Sequence, residues 1–325
     1  RDVAYESLPK RDRAVLHREI AEWAERELAD RTEEFAELIA NHLAAAVAYE
    51  EEFDLEGGAD LQELRRHAFA AAKRAARRAW AMSQLDGAHR WQTLAIELAP
   101  KIDTAPRDIA RLALDYGEIG FLLGGPSQQV VVAQRALEAM LALPEPEPED
   151  RETSARLRGM LGGALFHEGD VEGSRAMLRE GLAQLGSPDG SAVRAYLNSV
   201  LGWTYWRAGP VEEAIPILEA AVAEAEAVGD SHTLRWANHD LGVALGMLGD
   251  HDAAVARAEE SMRLAQEADD RNLVMRCYIN LPAIRANRGD DSRPLLEMAL
   301  EGIGHARRAA AGGLVCWLAG TVGGF

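Results

Sequence analysis

The run Leu201-Gly202-Trp203-Thr204-Tyr205-Trp206-Arg207-Ala208-Gly209, followed by Ala214, Leu218 and Ala221, has counterparts at fixed distance on both sides of itself. Gly202 returns as Gly162 and Gly242, and Gly209 as Gly169, Gly249 and Gly289. The residue before the first-glycine position is Leu161, Leu201, Leu241 and Leu281 in successive copies. One register held at a spacing of forty residues constrains the fold more than any composition figure does. A unit of that length is a single supersecondary element whose apolar face is covered by its neighbours, so the copies must stack. Each copy reads as two helices in antiparallel array. A Gly on the first helix and an Ala on the second, as in Gly202 with Ala214 or Ala221, would let the backbones approach, with Leu201, Tyr205 and Leu218 filling the space beside them. The glycines at 169, 209, 249 and 289 are expected to end each first helix in the left-handed conformation that other residues resist.

Taken in order, the chain opens with a helix after Pro9, its apolar stripe carried by Val15, Leu16, Ile20 and Trp23. A second helix follows from about Glu33, through Phe35, Leu38, Ile39, His42, Leu43 and Ala46. Glu50-Glu51-Glu52 and Gly57-Gly58 mark a joint. Helix pairs are expected at about 61–98, then through Gly117 and Gly124, then at 151–186, 191–228, 231–269 and from 271. Pro144 to Asp150 reads as an extended acidic spacer, because proline lacks the donor and disfavours the α region before it. Pro282 stands where earlier copies have glycine and is expected to kink or shorten its helix. Asp230 or Ser231 suits an N-cap.

Two resemblances can now be stated. Residues 60–311, with the glycine and alanine positions above, resemble tetratricopeptide repeats, which implies an all-α, right-handed superhelical solenoid of antiparallel helix pairs. The segment Ala4-Tyr5-Glu6-Ser7-Leu8, then Leu16-His17 and Ile20-Ala21, then Glu37-Leu38-Ile39-Ala40-Asn41-His42, resembles the junction that follows the ATPase module in bacterial multidomain regulators. Those regulators include adenylate or guanylate cyclases with an AAA-type ATPase and LuxR-like proteins. The resemblance implies that 1–56 is the end of an ATPase-associated winged-helix segment, that 60–311 is the solenoid and that 312–325 is a glycine-rich end. Nucleotide-binding and cyclase motifs do not occur in these residues. The chain begins at Arg1 rather than Met, and we expect it to be part of a longer polypeptide.

The bulk numbers narrow the partners. With 325 residues, 48% hydrophobic and 27% charged, the chain can bury one elongated helical body or two compact domains. A net charge of −18 argues against nucleic acid, since phosphate neutralisation requires an excess of Lys and Arg. The basic run Arg65, Arg66, Lys73, Arg74, Arg77 and Arg78 spreads around a helix, as a solvated face or as a contact for an acidic partner. Cys277 and Cys316 give no disulfide framework and no metal-ligand spacing, which fits a reducing cytoplasm. No apolar run approaches the roughly 18 residues of a membrane span, Leu314 to Val322 being short and broken by glycine.

No set of residues forms an enzyme site. Gly124-Gly125-Pro126-Ser127 lacks the lysine and the strand of a phosphate loop and reads as a turn. His232, Trp236 and His239 share a helical face but have no third and fourth metal ligand in sequence, so no metal or cofactor is expected. What varies between copies is more informative. Six residues before the repeated glycine stand Arg156, Tyr196, Trp236 and Arg276; three before it, Gly159, Ser199, His239 and Ile279. One after it stand Gly163, Trp203, Val243 and Ala283, and four and five after it Phe166, Trp206, Gly246, Ala286 and His167, Arg207, Met247, Asn287. In tetratricopeptide arrays the corresponding stripe lines the concave groove. Tyr196, Ser199, Trp203, Trp206, Arg207, Trp236 and His239 are therefore the candidate binding residues, rich in the aromatic and arginine side chains of binding hot spots. Packing between repeats would also account for the rings.

Sequence alone thus points to a non-catalytic regulatory or scaffold arm that binds a protein or peptide, the upstream domains of its own chain being among the candidate partners. A small-molecule sensor and a homo-oligomerisation arm are the alternatives.

Overall fold

The computed structural model describes residues 8–52, 58–82, 84–123, 126–186 and 191–308. The glycine-rich end, Cys316, the opening Ala4 to Ser7, and Gly124-Gly125 lie outside them. Among the described residues there are fourteen α-helices and no strand. They are α1 (Lys10–Glu27), α2 (Ala36–Glu51), α3 (Ala59–Ala81), α4 (Leu85–Leu98), α5 (Pro106–Leu123), α6 (Pro126–Leu141) and α7 (Pro148–His167). There follow α8 (Val171–Leu185), α9 (Ala192–Ala208), α10 (Val211–Val228), α11 (Ser231–Leu248), α12 (His251–Glu267), α13 (Arg271–Arg288) and α14 (Ser292–Arg308). The chain forms two compact units, Arg1–Ala164 and Leu165–Phe325.

In the second unit each helix packs on the next, and the first helices α9, α11 and α13 also touch one another. The turns explain this regularity. Asp170, Asp230, Asp250 and Asp270 each cap the following helix, accepting from the backbone N–H of Gly173, of His232 and Thr233, of Ala253 and of Leu273. Before each cap stands one residue with positive φ, namely Gly169 (92°), Gly229 (70°), Gly249 (89°) and Asp269 (50°). A left-handed residue followed by a capping aspartate reverses the chain in two positions, and each cap contributes about 1 kcal/mol.

Gly209 breaks this rule. Its φ and ψ of −166° and −165° are extended, not left-handed, because Pro210 follows and pushes the preceding residue out of the helical region. No left-handed residue closes the end of α9, and the Arg175 side chain does so instead, with Nη2 donating to the carbonyls of Thr204 at 3.1 Å and Ala208 at 3.2 Å.

The glycine columns also divide. A Cβ on Gly242 would lie 3.1 Å from both the Ala254 carbonyl oxygen and the Ala258 nitrogen, so here two backbones do approach. A Cβ on Gly202 would instead lie 2.5 Å from Leu218 Cγ. The forty-residue counterpart of Leu218 is Ala258, and this single exchange decides whether the glycine admits a leucine or a backbone.

Two expectations about proline are corrected. Pro282 does not shorten its helix, since α13 runs through it with 18 residues, as long as α11, and ends at Gly289. Pro282 is buried, and the packing around it offsets the lost backbone bond. The acidic spacer is shorter than expected, because Pro148, Glu149 and Asp150 form the first turn of α7. Proline is tolerated there because its missing N–H has no intrahelical partner in any case. Asp150 accepts from the Glu147 N–H at 2.8 Å and from both Nε and Nη2 of Arg107, which holds its carboxyl down at about 2.

In the first unit one core runs through α1 to α4, built from Ala24, Ile39, Leu43, Leu64, Ala71 and Trp91 among others. The basic run on α3 is partly consumed there, since Arg65 pairs with Glu51 and Arg74 with Glu25. His17 and His42 meet across α1 and α2, Nδ1 to Nδ1 at 2.8 Å. Burial lowers both imidazoles below their ordinary value, and for His17 the neighbouring His42 lowers it further. Below about pH 6.5 the unfolded chain therefore binds more protons than the folded one, and stability falls as pH falls. Thermal melting of the full chain followed between pH 7.5 and 5.5 should show this loss, and His42→Gln should flatten it. An unchanged pH dependence in that variant would remove the pair as its source.

Candidate functional site

The repeat places every variable column of the second unit on the first helices. On α9 the Trp203 ring lies 4.5 Å from Phe166 and 5.3 Å from His167, centroid to centroid. The Arg207 guanidinium, one turn further, stands 5.8 Å from the centre of Trp203 and 5.2 Å from that of Trp206. On α11, Trp236 receives the guanidinium of Arg276 from α13 at 5.4 Å. Stacking on an indole orients each guanidinium plane and leaves its N–H fork available.

Neither fork finds an acceptor among the described residues: Arg207 and Arg276 make ring contacts, with no hydrogen bond and no ion pair. The two nonetheless act on one another. Burial lowers Arg276 from the usual guanidinium value; the attraction of Asp240 opposes this, and repulsion from Arg207 adds a smaller lowering. His167 is lowered by burial, then by Arg207, then by Arg276.

Beneath this layer the side chains are saturated. His239 is 3% exposed, with Asn280 Nδ2 2.9 Å from its Nε2 and Asp240 Oδ1 3.0 Å from its Nδ1. With Asn280 donating to Nε2, the proton stands on Nδ1 and is donated to Asp240. His239 also meets the Trp236 ring edge-on at 6.2 Å.

The seven residues picked out by column analysis therefore separate. Trp203, Trp206 and Arg207 come together on α9, while Trp236 on α11 is paired with Arg276 of α13. Trp203, Trp206, Trp236 and Tyr196 are half-buried, and Arg207 is exposed. Ser199, 6% exposed, and His239 lie under the surface and back the layer above them. The Trp206 indole N–H is buried without an acceptor. Column reading left out Phe166, His167 and Arg276 as site residues, although they occupy the same columns as Trp206, Arg207 and Trp236. Their columns had named them, but candidates were taken only from the two aromatic-rich copies around Trp203 and Trp236. Asp240 and Asn280 had no such signal.

Among the described residues no group of three or more His, Cys, Asp or Glu side chains is placed to hold a metal ion, and no helix is long and apolar enough to cross a membrane. Cys277 is buried, its thiol pushed up to about 11 chiefly by desolvation.

Comparison with known proteins supports the fold. The tetratricopeptide repeat family matches residues 191–267, which covers α9 to α12. No curated protein matches the chain by sequence. Among solved structures, the Rap conjugation gene regulator of the plasmid pLS20, in complex with the Phr* peptide, superposes with a TM-score of 0.61 at 12% identity, over 93% of this chain and 86% of its own. A Rap protein complexed with Competence and Sporulation Factor gives 0.56 at 12% identity, over 97% of each chain. A Signal Transduction ATPase with Numerous Domains from Pyrococcus horikoshii, described with a tetratricopeptide repeat sensor, gives 0.54 at 17% identity, over 94% of this chain and 50% of its own. This chain thus spans half the length of that ATPase. At these identities the likeness carries the fold: an all-α, tetratricopeptide-like helical solenoid.

Proposed function

We propose that the first-helix face of the second unit, around Trp203, Arg207, Trp236 and Arg276, is the recognition surface of a non-catalytic regulatory module that binds a protein or peptide. One observation carries this reading: two arginines are stacked on indoles with their N–H groups unused within the described chain. A structural role would engage those groups, as Arg175 and Arg194 are engaged in the same unit. Aromatic and arginine side chains at an accessible surface are the residues that dominate protein interfaces. One similar structure is in complex with the Phr* peptide, which favours the same type of ligand here.

We place the module, in the cytoplasm, as the sensing arm of a longer bacterial signalling or transcription-regulating ATPase, joined to it through the helices of 1–56. Occupancy would bias the conformation of the parent chain, whose own domains are candidate partners. The junction motif and the likeness to an ATPase with a repeat sensor favour this parentage. Positional photo-crosslinking on first against second helices tests the surface. A P-loop or cyclase motif in the same polypeptide, before Arg1, tests the parentage.

A further inference from the structure

The apolar stripe that periodicity marks on α1 does not face the core. That helix buries Ala14, Ala21 and Ala24 within the first unit and leaves Val15, Leu16, Ile20 and Trp23 exposed, Trp23 by 52%. Small residues inside and large apolar ones outside are the reverse of what a helix at a solvent boundary needs. Leu16, Ile20 and Trp23, at i, i+4 and i+7, form one ridge. We infer that this face of α1 associates with α1 of a second copy of the chain, the two helices antiparallel about a two-fold axis near Glu19. The charges argue for a copy rather than an unlike partner. Counted from Glu19, Val15 and Trp23 stand four positions to either side, Asp12 and Arg26 seven, and Arg11 and Glu27 eight. In an antiparallel pair Val15 therefore meets Trp23, Asp12 meets Arg26 and Arg11 meets Glu27, and the symmetry makes each contact twice. All four charged side chains are exposed, and the hold of Arg26 on Glu22, at 3.9 Å, is loose enough to exchange. A parallel pair would set each charge against itself and would align the helix dipoles. Glu19 meets its own copy at the axis and opposes association. An 18-residue helix pairing along one face buries less than the roughly 1,200 Å² at which stable interfaces begin, so the dimer is transient, with a dissociation constant on the order of 10–100 µM. This goes beyond the peptide-binding reading and is separable from it, since α1 belongs to the first unit and that surface to the second.

Sedimentation equilibrium of the full chain, with the concentration raised from about 1 to about 300 µM, should pass from monomer to dimer. Trp23→Ser or Leu16→Ser should weaken association at least about tenfold while the helical signal is kept, both residues being exposed. Asp12→Arg and Arg26→Asp should each weaken it at least about fivefold, and the two together should return it to within about twofold of the unaltered chain. Glu19→Gln should tighten it by about threefold. A monomer throughout the range overturns the second copy and leaves the stripe to another partner. A dimer indifferent to Trp23→Ser and Leu16→Ser overturns the face. A dimer that those two variants weaken but that the charge exchange does not restore overturns the antiparallel arrangement. Should Asp12→Arg lose helical signal, because its carboxylate favours the start of α1, Trp23→Ser and Glu19→Gln decide together, and opposite changes from the two are required.

Discussion

Arg175→Met is expected to destabilise the second unit by about 3 kcal/mol. The side chain of Arg175 is 8% exposed, and its guanidinium lies 4.0 Å from the centre of the Tyr205 ring. Nη2 reaches the carbonyls of Thr204 and Ala208, while Nε reaches Thr204 Oγ1 at 3.3 Å. Methionine preserves the apolar stem and removes every donor, so two carbonyls at the end of α9 lose their charged partner while the left-handed closure is absent. Its nearby carboxylate, Glu172 at 3.4 Å, is 84% exposed and adds little. Gly209→Ala should produce a smaller loss in the same direction, because its Cβ would stand 2.5 Å from Nη2. Urea unfolding at constant m reads both changes. A loss below about 1 kcal/mol for Arg175→Met would mean that water replaces the guanidinium at no great expense.

The second large effect concerns the crossing of α9 and α10. Leu218→Ala, at a fully buried site, is expected to cost about 3 kcal/mol through the cavity it leaves. Gly202→Ala sets a methyl 2.5 Å from Leu218 Cγ and 2.7 Å from Cδ2, and overpacking of this kind costs about 2 kcal/mol. The two faults are complementary, since each makes the room that the other lacks. The double variant should fall short of the sum by about 1–2 kcal/mol. At Gly242 no such rescue exists, because an added methyl meets backbone atoms of α12 that no side-chain change can move. Strict additivity at 202 and 218 would show that the leucine relaxes away from the glycine in solution.

Much of this fold was legible in the sequence because a repeat is redundant. Leu161, Leu201, Leu241 and Leu281 report one position four times, and the Asp230 cap follows from local backbone chemistry that needs no partner. The errors fell where a neighbour in sequence or space overrode a local rule. Gly209 yields to Pro210, Pro282 is carried by buried packing, and Pro148 starts a helix because Arg107 and Asp150 fasten its first turn. The site was legible only in part. Aromatic enrichment at 203, 206 and 236 marks a face, but neither the burial of His239 nor the pairing of Arg276 with Trp236 is a property of any one column. Those contacts depend on the lateral distance between α11 and α13.

The central claim is that recognition occurs on the first helices of the second unit. It is tested most directly by placing a photo-crosslinking amino acid in vivo at exposed positions on either side of that unit. Met247 lies on the first helix α11, in the column of Arg207; Glu219 and Gln266 lie on the second helices α10 and α12, and all three are exposed. The account expects one discrete adduct from position 247, lost when Arg207→Gln is added, and none from 219 or 266. Adducts from 219 or 266 with none from 247 would contradict it and move the partner to the second-helix face.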